Sequence, residues 1–177
     1  IRTEVRGTPP RTEVMLAAFV QWGVAESLPR FNGMFAFALW DLEKRELTLA
    51  RDHYGKKPLY YGQLNGRWVF ASELKALHHP ALELDRSALA SYFRFGYVPA
   101  PSSIYKQLKK LPPASLVILR ADQAEDRPRP FWSLSNLAHS HQPAPENSLY
   151  PEPPRLRASV KRLIISDVPL GAFLSGG

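Results

Sequence analysis

The stretch "FNGMFAFALWDLEKRELTLARD", Phe31 to Asp52, decides the fold. From Gly33 to Asp41 it is apolar at odd and even positions alike, which predicts a strand covered on both faces. The charged run "DLEKRE" then turns the chain, and "LTLARD" supplies a second strand.

Working outward, "PLYYGQL" (58–64) and "RWVFAS" (67–72) read as a third and a fourth strand. Asn65-Gly66 between them is a hairpin turn, because both residues tolerate positive φ. "SLVILR" (115–120) is a further strand after the Pro112-Pro113 turn. Upstream, "TEVMLAAFVQWG" (12–23) sets Val14, Met15, Ala18, Phe19 and Trp22 on one helical face, and Gly23 closes that helix. Ser72 is placed to cap a short helix through Leu77, and Asp85 to cap "RSALASYFRF", which Gly96 ends. Successive hairpins predict an antiparallel sheet. Helices before and after it predict layers of helix, sheet, sheet and helix, an α+β fold.

Prolines mark the next boundary. Pro128, Pro130, Pro143, Pro145, Pro151, Pro153 and Pro154 crowd one polar stretch, which reads as an extended linker. The division expected is a body over 1–133, a linker over 134–154 and a C-terminal piece over 155–177. In that last piece "RLRASVKRLI" has helical spacing, and "DVPLGAFL" is apolar throughout, like a strand of a parallel sheet. An α/β domain is beginning there.

Composition narrows the function classes. Among 177 residues, 45% are hydrophobic and 22% charged, which is ordinary globular usage. The longest apolar run, Met34 to Trp40, is too short to cross a bilayer, and no signal peptide is evident. The cytoplasm is therefore the expected compartment. With no cysteine, the 177 residues hold no disulfide, thiolate metal site or cysteine nucleophile. The net charge of +7 raises nucleic acid as a partner, but Lys and Arg are scattered and no recognition motif accompanies them. A solvated basic surface is the reading, with neither nucleic acid nor membrane as partner. The start at Ile1, without an initiator Met, points to truncation or processing.

Few motifs carry chemistry. Ser175-Gly176-Gly177 follows an apolar strand, as loops that offer backbone N–H groups to a phosphate do, although an ordinary turn has the same composition. In "ARDHYGKKPLYY", Arg51, Asp52, Gly55 and Pro58 are accounted for by turn chemistry, and a structural role is expected for the segment. His53, His78, His79, His139 and His141 lack carboxylates at ligand spacing and read as solvent-exposed. No metal site is expected.

Six segments, however, occur in a telling order: "TEVMLAAFVQWG", "FNGMFAFALWD", "ARDHYGKKPLYYG", "FASELKAL", "GYVPAPSSIYKQLKKLPP" and "SVKRLIISDVPLGAFLSGG". Together they resemble the asparagine synthetase family of glutamine-dependent amidotransferases. The resemblance implies an N-terminal-nucleophile (Ntn) hydrolase-type αββα glutaminase, incomplete at its N-terminus, followed by the first helix and strand of an α/β ATP-pyrophosphatase domain. It implies that ATP and Mg²⁺ activate aspartate, and that ammonia released from glutamine displaces AMP to give asparagine. It places Leu174, Ser175, Gly176 and Gly177 at the start of the ATP-binding loop, and Met34 beside the ammonia route. No catalytic residue falls within the chain, since the family's nucleophile is an N-terminal cysteine. Arg11 stands where the family has an Asp that receives the glutamine amino group, which puts glutamine use in question.

The expected partners are therefore small molecules: glutamine, ATP, and aspartate or another carboxylate. Self-association into a homodimer is left open. The alternatives are an amidotransferase acting on another carboxylate, such as a sugar acid, or a non-catalytic glutaminase-like module used for binding or regulation. The chain by itself is expected to be inert.

Overall fold

The computed structural model describes residues 10–120, 127–136, 157–161, 164, 169 and 171. The chain divides into two units, residues 1–136 and 137–177. In the first unit the helices include α1 (Pro10–Trp22), α2 (Val24–Ser27) and α3 (Arg86–Phe95), and residues 134–136 are helical too. The strands are β1 (Ala36–Asp41), β2 (Glu46–Arg51), β3 (Tyr60–Leu64), β4 (Arg67–Ala71), β5 (Leu108–Lys110), β6 (Ser115–Arg120) and β7 (Arg129–Pro130). Short 3₁₀ turns cover Leu28–Arg30 and Leu74–Leu77.

The strands form two antiparallel sheets, ordered β1-β2-β6-β7 and β4-β3-β5. The α+β class is thus as expected, but the run of successive hairpins is not. β1–β2 and β3–β4 are hairpins, while residues 52–59 leave one sheet and enter the other. At the β3–β4 turn Asn65 (φ 52°) and Gly66 (φ 73°) both adopt positive φ, as a two-residue hairpin loop requires.

One core draws Leu49 from β2, Val117 and Leu119 from β6, Tyr61 from β3, and Leu59 and Leu111 from the strand approaches, so it lies between the sheets. A second core gathers Ala50 and Leu116 with Leu28 and the rings of Phe31, Phe35, Phe37 and Phe131. Alternation sends Ala50 and Leu116 to the opposite face from Leu49 and Val117, and the helices cover that face. α1 contributes Phe19, whose ring lies 5.3 Å from Phe37 and 5.7 Å from Phe31. Each fully buried Leu stabilises the fold by about 2 kcal/mol through apolar area removed from water.

Several expectations need correction. β1 is not covered on both faces: Ala38 and Trp40, on one face, are exposed, Trp40 by 49%, while Phe37 and Leu39 on the other are half-buried. The strand's continuous apolar run meets a neighbour on one side among the described residues. On α1, Ala18 and Phe19 are buried, but Val14 and Trp22 are exposed, so the covered face is narrower than the helical pattern predicts. Ser72 caps nothing: the turn at Leu74–Leu77 is 3₁₀, with an extended Glu73 before it and no side-chain cap. Asp85 does cap α3, accepting from the Ser87 and Ala88 N–H groups, and Gly96 ends it at φ 75°. Of α3 only Ala88 is buried, and Tyr92, Phe93 and Phe95 stay exposed.

In the second unit a helical turn covers 157–161, and the Ile164 N–H donates to the Val160 carbonyl at 3.1 Å. The rest of the predicted helix, and the predicted strand apart from Pro169 and Gly171, lie outside the described residues.

Gly62 fixes how closely β3 and β5 pair. A Cβ there would sit 2.0 Å from the Gln107 carbonyl oxygen, a backbone atom that cannot move without breaking the pairing. Gly62→Ala should therefore cost about 3 kcal/mol, at the severe end for overpacking. A urea or thermal melt reads this directly, and an unchanged midpoint would contradict the register.

Candidate functional site

The crossover between the sheets is the most polar buried feature of the first unit. β2 ends in Arg51 and Asp52, which are 8% and 2% exposed. They do not spend their charges on each other. The Arg51 guanidinium donates from Nε to the Lys57 carbonyl at 2.8 Å, from one terminal nitrogen to the Leu111 carbonyl at 2.7 Å, and from the other to the Gly55 carbonyl. The Asp52 carboxylate accepts from the backbone N–H groups of Tyr54 (3.2 Å), Lys56 (3.0 Å) and Lys57 (3.0 Å). One side chain serves the Gly55 and Lys57 carbonyls of the crossover and that of Leu111, and the other serves the crossover amides, partners that this part-buried backbone lacks in a ladder.

Main-chain bonds extend the clamp. The Asp52 carbonyl accepts from Ala114 N–H at 2.9 Å, and Leu111 N–H donates to the Leu59 carbonyl at 2.9 Å. Asp52 N–H donates to the Phe35 carbonyl at 2.8 Å, which ties the crossover to the loop that carries Met34. Gly55, at φ 62°, lies against the Arg51 guanidinium, where a Cβ would come within 2.9 Å of Cζ. Burial lowers the Arg51 pKa, while nearby Asp52 and Tyr60 act in the opposite direction.

Aromatic rings close the other side. His53 makes edge-on contacts with Phe131 and Trp132, each at 5.2 Å, and Tyr54 meets Trp132 at 5.4 Å. Phe131 also stacks on Phe35 at 6.5 Å, and its N–H donates to the Ala114 carbonyl at 2.8 Å. His53 is thus half-buried rather than solvent-exposed, a correction that follows from β7 carrying Phe131 and Trp132 back across the crossover. Burial holds its pKa below the ordinary histidine value, with Asp52 opposing.

The structural role expected for Arg51 and Asp52 is what this geometry displays. Met34 lies between Asn32-Gly33 and β1 and is 42% exposed. Arg11 falls in the first turn of α1, and its side chain lies outside the described residues, as do Leu174 to Gly177. Among the described residues no cluster of three or more His, Cys, Asp or Glu could hold a metal, and no helix is long and apolar enough to cross a membrane. Sequence reasoning missed the joining of residues 111–114 to 51–59. The signal was there: an Arg-Asp pair ending an apolar strand has no water to face.

Comparison with known proteins places this scaffold. Residues 4–132 match the family model described as the glutamine amidotransferase domain. The chain is 34% identical over 172 residues to putative asparagine synthetase [glutamine-hydrolyzing] 2 of Methanocaldococcus jannaschii, covering 94% of this chain and 33% of that protein. It is 36% identical over 173 residues to asparagine synthetase [glutamine-hydrolyzing] 1 of Bacillus subtilis, covering 96% of this chain and 27% of the relative. It is also 29% identical over 171 residues to the amidase chyE of Penicillium rubens, with 93% and 24% covered. The chain therefore spans about a quarter to a third of the length of these relatives.

Two outcomes test the site. Arg51→Lys keeps the charge but loses the fork that serves three carbonyls, and should cost about 2 to 3 kcal/mol in urea unfolding; a loss within error would contradict the clamp. His53 binds its proton less readily folded than unfolded, so its contribution is complete above the ordinary histidine pKa and is lost as pH falls through the lowered folded value. His53→Phe should flatten that acid-side decline in stability, and an unaltered pH profile would contradict the burial of the ring.

Proposed function

The chain belongs to the glutamine amidotransferase domain family, and on that premise we propose that it serves an ATP-dependent asparagine-synthetase-type ligase. Ligases of that type turn aspartate, ATP and glutamine into asparagine, AMP, pyrophosphate and glutamate, with ammonia as the species that displaces AMP. One observation carries the reading: alignments to proteins named as glutamine-hydrolysing asparagine synthetases cover 94–96% of the chain, so they run beyond the glutaminase match that ends at residue 132.

In this reading the first unit is the frame of the glutaminase domain. Phe31 and Phe35, packed in the aromatic core, hold the loop from which Met34 faces the ammonia route. The clamp at Arg51 and Asp52 anchors that loop through the Phe35 carbonyl. Leu174 to Gly177 would offer backbone N–H groups to the phosphates of ATP, whose charge Mg²⁺ neutralises and whose cleavage activates the acceptor carboxylate. Nitrogen release from glutamine needs a nucleophile that these 177 residues lack, since they contain no cysteine.

Arg11 shapes the choice of nitrogen donor. A guanidinium where the family has a carboxylate repels the ammonium of glutamine, so free ammonia is the better donor in this reading. A second reading, amidation of a different carboxylate, is favoured by the likeness to a relative named as an amidase.

The test uses both the 177-residue polypeptide and the gene product with its flanking sequence. The polypeptide alone should release no ammonia from glutamine; turnover there would overturn the assignment of the nucleophile elsewhere. The longer protein should form AMP and pyrophosphate from ATP with aspartate and ammonium, and poorly with glutamine. Arg11→Asp should lower the KM for glutamine by about tenfold, the effect of roughly 1.4 kcal/mol. ATP cleavage with another carboxylate but not with aspartate would favour the second reading. No cleavage at all would leave a binding module.

A further inference from the structure

The sequence contains two Asn-Gly dipeptides, Asn32-Gly33 and Asn65-Gly66, and the fold treats them in opposite ways. Asn65 sits at φ 52° in the β3–β4 hairpin, with the ladder pairing Leu64 to Arg67 immediately outside it. Its side-chain amide lies 3.4 Å from His79 Nε2, and His79 is itself oriented by accepting the Ala81 N–H at Nδ1, 3.1 Å. With Nδ1 accepting, Nε2 carries the ring proton and cannot also accept from the Asn65 amide, so the restraint on Asn65 is the backbone, fixed on both sides by the ladder and the positive φ.

Asn32 has none of these restraints. It is exposed, lies outside helix and strand, and does not adopt positive φ. No hydrogen bond is made to its side chain, nor to the backbone of residues 32–34, among the described residues. The flanks alone are anchored, by Phe31 N–H on the Leu28 carbonyl (3.2 Å) and by the Phe35 carbonyl under Asp52 N–H. Gly33 is exposed, and a Cβ on it would meet nothing within 4 Å, so no neighbouring group packs against it there.

We propose that Asn32-Gly33 is a self-modifying site, and that its chemical twin at Asn65-Gly66 is protected by the fold. The Gly33 backbone nitrogen attacks the Asn32 side-chain carbonyl carbon and loses its proton. A new C–N bond forms, the bond to the amide nitrogen breaks, and ammonia leaves with a proton. The five-membered succinimide then takes up one water and opens to aspartate or isoaspartate, with no oxidant or reductant involved. Glycine favours the closure because it has no side chain to crowd the nitrogen and restricts the backbone least.

The consequence is local. Conversion adds one negative charge two residues before Met34, and isoaspartate adds a methylene to the main chain between Phe31 and Phe35, both packed in the aromatic core. The loop would then no longer span its two anchors in the same way. Modification at this position is thus a route by which the protein would lose the candidate site with age while its sheets remain intact.

The experiment incubates the full chain at mildly alkaline pH and follows both dipeptides by peptide mapping, with isoaspartate distinguished from aspartate. A synthetic peptide, PRFNGMFAF, serves as the unstructured clock. Asn32 should convert at a rate close to the peptide, and Asn65 several-fold more slowly. Gly33→Ala should slow Asn32 while leaving the melting temperature unchanged. Equal rates at the two sites, a faster Asn65, or an Asn32 that stays intact while the peptide converts would each overturn the proposal.

Discussion

The first unit depends on how the chain gets from one sheet to the other. A crossover between stacked sheets leaves its own carbonyls and amides without a ladder, and buried groups left unpaired would each cost about 1 to 3 kcal/mol. Arg51 and Asp52 remove that cost with two adjacent side chains, one all donor and one all acceptor. Burying both charges is tolerable because each is hydrogen-bonded to fixed dipoles rather than left to a single counter-charge. Glycine at position 55 follows from the same arrangement, because the guanidinium occupies the space a side chain would need.

Other contacts lock the sheets at their far ends. Glu46 and Arg120 pair across β2 and β6, with Arg120 Nε donating to Glu46 at 2.7 Å. The Arg120 carbonyl accepts from the Trp68 indole of the second sheet at 2.9 Å. The crossover and this indole bond therefore hold the sandwich at two places. Its helical side is closed by the rings of Phe19, Phe31, Phe35 and Phe37, and Phe131 on the returning chain seals the gap beside His53. The loop with Met34 hangs between that aromatic core and the crossover.

Local chemistry was the legible part of the sequence. Asn65-Gly66, Asp85 and Gly96 act through their own backbone or that of near neighbours, and each appears in the role its residue type predicts. What resisted reading was long-range. β5 is three residues long, and its pairing with β3 rests on Gly62 rather than on its own pattern. β1 has the composition of a doubly covered strand but keeps Ala38 and Trp40 exposed, since apolarity reports what a residue can bury and not what arrives to cover it. The site was legible in part: the glycine and proline of residues 51–58 announced a turn, but nothing local says that Arg51 reaches a carbonyl sixty positions away. His53 was misjudged for the same reason, because its cover comes from residues 131 and 132.

The central claim is that the buried Arg51 and Asp52 side chains hold the backbone of residues 52–58 rigid, although Tyr54, Lys56, Lys57 and Pro58 turn their side chains to solvent. Native-state hydrogen exchange tests it most directly. The amides of Lys56 and Lys57, bound to Asp52, and those of Leu111 and Ala114, bound to the crossover carbonyls, should exchange only through the same cooperative opening as β2 and β6. Fast, independent exchange of these four amides, while the strands remain protected, would contradict it.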